Sequence, residues 1–243
     1  MRRSASNLEG RAPWPANDVQ SIHTRLARFV ERSLGHGLQV HMRPSANGWK
    51  ELAKDRLFDF EMQADYDGYS VDYARRELGG RCFVVKLLPD LSETAFAAWA
   101  SWQSTWGAEG KGYFSLKAAS WTFFWGQARS EEKTQLFRAE WHLEGAEDAP
   151  QPHWNLDTKP TLSLSAANAR DWVLHAKSGI GVASRASGGS PITSLAKLHL
   201  AMGGWRNAAS HPDCWICAVP GDQDLLNWAK NTFAHAVTEF RRP

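Results

Sequence analysis

The residues best suited to chemistry fall between Leu136 and Asp157, LFRAEWHLEGAEDAPQPHWNLD, where carboxylates, imidazoles and a guanidinium recur at alternate positions. Alternate side chains of an extended strand share one face. Phe137, Ala139, Trp141 and Leu143 therefore form an apolar set, and Arg138, Glu140, His142 and Glu144 its polar counterpart. A second run repeats the pattern, with Pro152, Trp154 and Leu156 apolar and His153, Asn155 and Asp157 polar. The acidic segment from Gly145 to Gln151 carries Pro150 and reads as a hairpin connection longer than a tight turn.

A register that sets His142 opposite His153 also sets Glu140 by Asn155 and Arg138 by Asp157. The loop length does not fix that register, but a slip by two residues keeps the same faces together. Arg138, Glu140, His142, His153 and Asp157 are thus the candidate catalytic residues, and His142, His153 and Asp157 the candidate metal ligands. Imidazole with carboxylate suits a first-row divalent metal, or acid/base work near neutral pH. The spacing matches no defined metal motif. The enzymatic reading is a metal-assisted hydrolase of a phosphoester or nucleic-acid substrate, with a divalent metal as its cofactor. The plain alternative is an antiparallel sheet with one wet face, which produces polar alternates without any site.

Other motifs lead nowhere sharper. His211-Pro-Asp-Cys214-Trp-Ile-Cys217 holds a single CxxC, while tetrahedral zinc needs four close ligands. Cys214 to Val219 reads as an apolar strand, which points the two cysteines to opposite sides. Nor does the second cysteine open a helix that would stabilise a thiolate. G-x-S-x-G is absent, and the glycines between Ser178 and Ser190 lack phosphate-loop spacing.

Around this stretch, the sequence predicts a single α+β domain over residues 18–243, a mainly antiparallel sheet with helices packed on it, preceded by a flexible arm over residues 1–17. Val19, Ile22, Leu26, Phe29, Val30 and Leu34 recur at helical spacing, with Asn17 or Asp18 as cap and His23 at the border of the stripe. Phe58, Phe60, Met62 and Ala64 alternate with acids in a half-buried strand, and the Asp67-Gly68 turn suggests a hairpin with the strand after it. Residues 81–88 form a central strand. Leu91, Ala95, Trp99, Trp102 and Trp106 share one helical face, so the spacing predicts a helix with an aromatic ridge. Tyr113 to Gln127 makes a long strand, covered on both sides, that opens a meander running to Leu164. Helices follow from Ser165 to Gly179, from Thr193 to Trp205 with His199 at its border, and from Asp222 along Leu226, Ala229, Phe233, Ala236, Val237 and Phe240.

Composition bounds the rest. Apolar residues at 43% and charged residues at 22% are globular values. A net charge of +2 gives no whole-surface attraction to nucleic acid or anionic lipid, so nucleic acid stays open as a partner. Three cysteines set no disulfide framework, and no signal run or bilayer-length apolar run is visible, which points to the cytoplasm and to no membrane. Thirteen tryptophans suggest large core fillers or surfaces prepared for partners. The non-enzymatic reading follows from them: a non-catalytic subunit or adaptor of a cytosolic assembly, contacting other protein subunits through Trp-rich surfaces.

Overall fold

A computed structural model describes residues 13–35, 37–44, 57–76, 80–87, 96–142, 152–156 and 222–241. Within them lie β1 (Trp14–Pro15), α1 (Ala16–Leu34), β2 (Val40–Pro44), β3 (Leu57–Ala64), β4 (Val71–Arg75), β5 (Arg81–Lys86), β6 (Phe96–Gly110), β7 (Tyr113–Gln127), β8 (Thr134–His142), β9 (His153–Leu156) and α2 (Asp222–Arg241). The strands form one antiparallel sheet that curls into a half-barrel with both helices packed against it, which is the expected α+β class. The expected helices over 165–179 and 193–205, the glycine-rich segment 178–190, His199, Cys214 and Cys217 lie outside the described residues. No helix among the described residues is long and apolar enough to cross a membrane.

The sheet is built outward from β6 and β7, fifteen residues each and joined at Lys111-Gly112. Its main path runs β2-β3-β6-β7-β8-β9. The edge of β6 away from β7 is shared: β3 pairs along Gln103 to Gly107, and β5 pairs at Trp99 and Ala100. The expected hairpin between the strands flanking Asp67 does not form. β4 pairs instead with β5, while Asp67 Oδ1 accepts the backbone N–H groups of Tyr69, Ser70 and Val71 and turns the chain away from β3.

The predicted aromatic helix is a strand. In β6, Ala98, Ala100, Trp102 and Trp106 join the main core, whereas Ala97 and Trp99 join a smaller cluster on the other face with Ala74, Cys82, Val84 and Phe124. A period of two, buried on both faces at one end, mimics a helical stripe. Among the described residues, eight tryptophans are buried: Trp14, Trp99, Trp102, Trp106, Trp121, Trp125, Trp141 and Trp228. They fill the interior.

Both helices seal the main core. α1 buries Val19, Ile22, Leu26, Val30 and Leu34, as its periodicity predicts, but it starts at Ala16 after Pro15 with no side-chain cap. Asp18 sits in its first turn, where a carboxylate favours the helix dipole. Residues 14 to 17, expected in the arm, belong to the fold: Trp14 pairs with Phe114 and its ring lies 5.1 Å from that of Trp106. α2 lays Trp228 against Trp102, Phe233 against Trp121 and Phe240 against Phe137, and its Ala229 carbonyl accepts the Trp121 indole N–H at 2.9 Å.

His23 is a core residue, fully buried and stacked on Phe60 at 4.0 Å, and not the boundary residue its place in the sequence suggested. Its Nδ1–H donates to the Val19 carbonyl at 2.7 Å, which leaves Nε2 to accept the Ser104 hydroxyl at 2.8 Å. Ser104 Oγ in turn accepts the Trp106 indole N–H at 3.0 Å. The network requires neutral imidazole, and burial pulls the His23 pKa from 6.5 to about 4.

Candidate functional site: the polar face of the sheet

Opposite the helices, the ladder lines up polar residues across nearly the whole sheet. Arg43, Glu61, Gln103, Ser120, Glu140 and His153 are successive partners on β2, β3, β6, β7, β8 and β9. One neighbouring row holds Asp59, Thr105, Ala118 and His142; the other holds Thr122, Arg138 and Asn155. Cross-strand partners share a face, so the alternation read in one stretch of sequence belongs to a surface made by six strands.

β8 positions the central group. Phe137, Ala139 and Trp141 are buried toward the helices, and Arg138, Glu140 and His142 occupy the opposite face, as alternation requires. A bulge in β8, with Leu136 as the extra residue opposite Phe123 and Phe124, lets Leu136 and Phe137 both reach the interior. The register of β8 with β9 differs from the expected one by two residues: Glu140 lies across from His153, and Arg138 from Asn155. The shift pairs Phe137 with Leu156 and Ala139 with Trp154, keeping apolar positions together. His153 is thus adjacent to Glu140 in the backbone ladder and not to His142. Asp157 lies outside the described residues.

Glu140 is the unusual member. Its side chain is 5% exposed, and its Oε2 lies 3.3 Å from Arg138 Nε and 3.2 Å from His142 Nε2. Arg138 and His142 remain open to solvent at 35% and 41%. An ordinary wet strand face leaves its glutamate in water, because a buried carboxylate needs compensating partners. Here two flanking nitrogens approach the same oxygen at ion-pair distance, although neither makes a hydrogen bond to it. The arrangement sets an imidazole and a guanidinium beside one buried carboxylate. It can pass a proton through His142 or attract an anion through Arg138.

The remaining polar groups on this face pair among themselves. Asp59 accepts Gln103 Nε2 at 3.0 Å and Thr105 Oγ1 at 2.5 Å, and Glu61 forms an ion pair with Arg76 at 3.0 Å. Their participation was hidden in sequence, since β3 and β6 reach this surface only through long-range pairing. Cys82 is buried near Arg76, and burial pushes its thiol up, away from thiolate chemistry. Among the described residues, no group of three or more His, Cys, Asp or Glu side chains is arranged to hold a metal ion. The chain matches no protein-family model, no curated protein and no solved structure.

Proposed function

We propose that the Glu140 face is a working site for acid/base or divalent-cation-assisted hydrolysis of a phosphoester or related bond. The observation that supports this reading is the buried Glu140 carboxylate held between Arg138 and a half-exposed His142. Glu140 fixes the orientation of the imidazole, His142 transfers the proton, and Arg138 holds the anionic substrate. In the cation-assisted form, His142, His153 and Asp157 would supply the ligands. Elemental analysis of protein purified without an affinity metal, combined with a phosphodiester and phosphomonoester hydrolysis screen, tests both forms. His153→Ala and Glu140→Gln should abolish turnover or bound metal without unfolding the chain. Wild-type protein with neither metal nor turnover, or variants that lose only stability, would leave Glu140 as a structural carboxylate.

A second reading, a non-catalytic subunit of a cytosolic assembly, draws support from a different surface. The tryptophans described above are interior, so the interface would use Tyr66, Tyr73, Phe83 and Arg81 instead. Tyr66 is 56% exposed and its ring is tilted 5.5 Å from that of Tyr73; Tyr73 lies 4.5 Å from Phe83, and the Arg81 guanidinium lies 4.3 Å above the Tyr73 ring. Tyrosine and arginine are favoured at the centres of protein interfaces. Tyr66→Ser with Arg81→Ser should then release the chain from a complex of defined mass in size-exclusion chromatography without unfolding it.

A further inference from the structure

We propose that the solvent side of the α1–α2 pair is a cationic ridge that binds the phosphate backbone of a nucleic acid. Arg25, Arg28 and Arg32 are exposed on α1 at spacings of three and four residues, which places them along one side of the helix. Lys230 joins them from α2, with its Nζ 5.6 Å from the Phe29 ring centroid. Arg25 reaches α2 directly, donating to Gln223 Oε1 at 3.1 Å, and Arg32 Nε donates to the Arg28 carbonyl at 3.2 Å. Among the described residues, none of these four cations forms an ion pair.

Three of the charges also act on one another. Desolvation, followed by repulsion from Arg25 and Arg32, holds the Lys230 ammonium below the ordinary lysine range. Three acids flank the ridge: Asp18 and Asp224 lie in the first turns of their helices, and Glu31 Oε1 accepts the Val40 backbone N–H at 2.8 Å. Gathering like charges costs stability, and an anionic ligand reverses that cost. A net charge of +2 conceals such a patch, because acids elsewhere balance it.

Three features select a nucleic acid as the occupant. Guanidinium forks match phosphate oxygens in two-point hydrogen bonds. From Arg25 to Arg32 the helix rises about 10 Å at 1.5 Å per residue. That length spans about three phosphates of a duplex strand, which rise about 3.4 Å each. A lipid surface is a poorer fit, because membrane-bound helices bury an apolar face in the bilayer, and the apolar faces of α1 and α2 are committed to the core. The ridge would grip backbone and not bases, so binding should be insensitive to sequence and sensitive to salt. It lies on the far side of the sheet from Glu140 and does not rest on the hydrolytic reading.

The test is fluorescence anisotropy of the full chain with a labelled mixed-sequence oligonucleotide, single-stranded and duplex, between about 50 and 200 mM salt. Arg25→Gln/Arg28→Gln/Arg32→Gln should weaken binding at least about ten-fold at the lower salt. The slope of log affinity against log salt should also flatten, by up to about 0.9 for each phosphate no longer neutralised. Arg75→Gln/Lys111→Gln/Arg129→Gln removes the same charge from exposed positions elsewhere and should change binding little. The single Arg28→Gln variant should shift affinity in the same direction as the triple, which keeps the test valid if the triple folds poorly. No wild-type binding at low salt, or equal losses in the two triple variants, would overturn the proposal. So would binding to phosphatidylserine vesicles, or to polyglutamate, as tight as to the oligonucleotide.

Discussion

Trp99 and Trp102, three positions apart on β6, face opposite sides of the sheet and belong to separate hydrophobic clusters. Trp99 donates its indole N–H to the Gly126 carbonyl at 2.9 Å and lies under the Lys133 ammonium, whereas Trp102 packs against Trp121 and Trp228. Trp102→Ala should cost about 3–5 kcal/mol in urea unfolding as a large-to-small core change. Because the two indoles share no cluster, Trp99→Phe and Trp102→Phe should add to within about 0.5 kcal/mol when combined. A large coupling would mean that the two faces respond as one core.

Acid should destabilise the protein through His23. Its folded pKa of about 4 lies below the ordinary 6.5, so the unfolded chain binds the extra proton first. Stability is therefore full above about pH 6.5, falls as the pH drops toward about 4, and levels off below that, with a total loss on the order of 3 kcal/mol from this group. Urea unfolding of wild type and His23→Gln across that range measures it. The variant should start less stable and show a flatter slope; identical slopes would assign the acid sensitivity to other groups.

Lys133 and Asp72 form a buried ion pair at 2.7 Å, with side-chain exposures of 0% and 3%. Lys133 Nζ also donates to the Tyr73 and Ser130 carbonyls, so a single ammonium ties the loop before β8 to β4. Desolvation pulls the Lys133 pKa down against the opposing pull of Asp72. Lys133→Met strands a buried carboxylate and should cost about 3–5 kcal/mol, while adding Asp72→Leu should recover most of it. Gly126→Ala probes the same junction sterically, because a Cβ there would meet Lys133 Cγ at 2.7 Å and Cα at 3.0 Å. It should destabilise by about 1–3 kcal/mol as an overpacked position.

The elements with one wet and one buried face were legible in sequence. β3 alternates Phe58, Phe60 and Met62 with Asp59 and Glu61, and α2 shows its buried stripe from Leu226 to Phe240. β6 was not legible, because Ala97 and Trp99, clustered with Phe124 of β7, are buried on the face where alternation demands polarity. The composition of that segment carried the missing signal: Trp, Ser and Thr over 99–106 favour strand, and the residues that favour helix on an exposed face are scarce there. His23 was misplaced for a simpler reason. Spacings of four, three and four from Val19 through His23 and Leu26 to Val30 put it on the stripe itself, and its polarity argued against a position its geometry required.

For the polar face, alternation identified which side Arg138, Glu140 and His142 occupy. The burial of Glu140 depends on its cross-strand surroundings, which no local pattern encodes. The two-residue difference in register has the same origin, since Phe137 across from Leu156 is a nonlocal pairing.

The shared edge of β6 has a kinetic consequence. β6 and β7 can zip from the Lys111-Gly112 turn with little loop-closure entropy, but β3 and β5 cannot join the central hairpin until β6 is extended, nor β8 until β7 is. The long hairpin is therefore the template in the folding reaction, and α2, last among the described elements, condenses onto it late. Truncating Trp121 should chiefly slow refolding, whereas truncating Phe240 should chiefly speed unfolding, a division that a chevron plot resolves limb by limb.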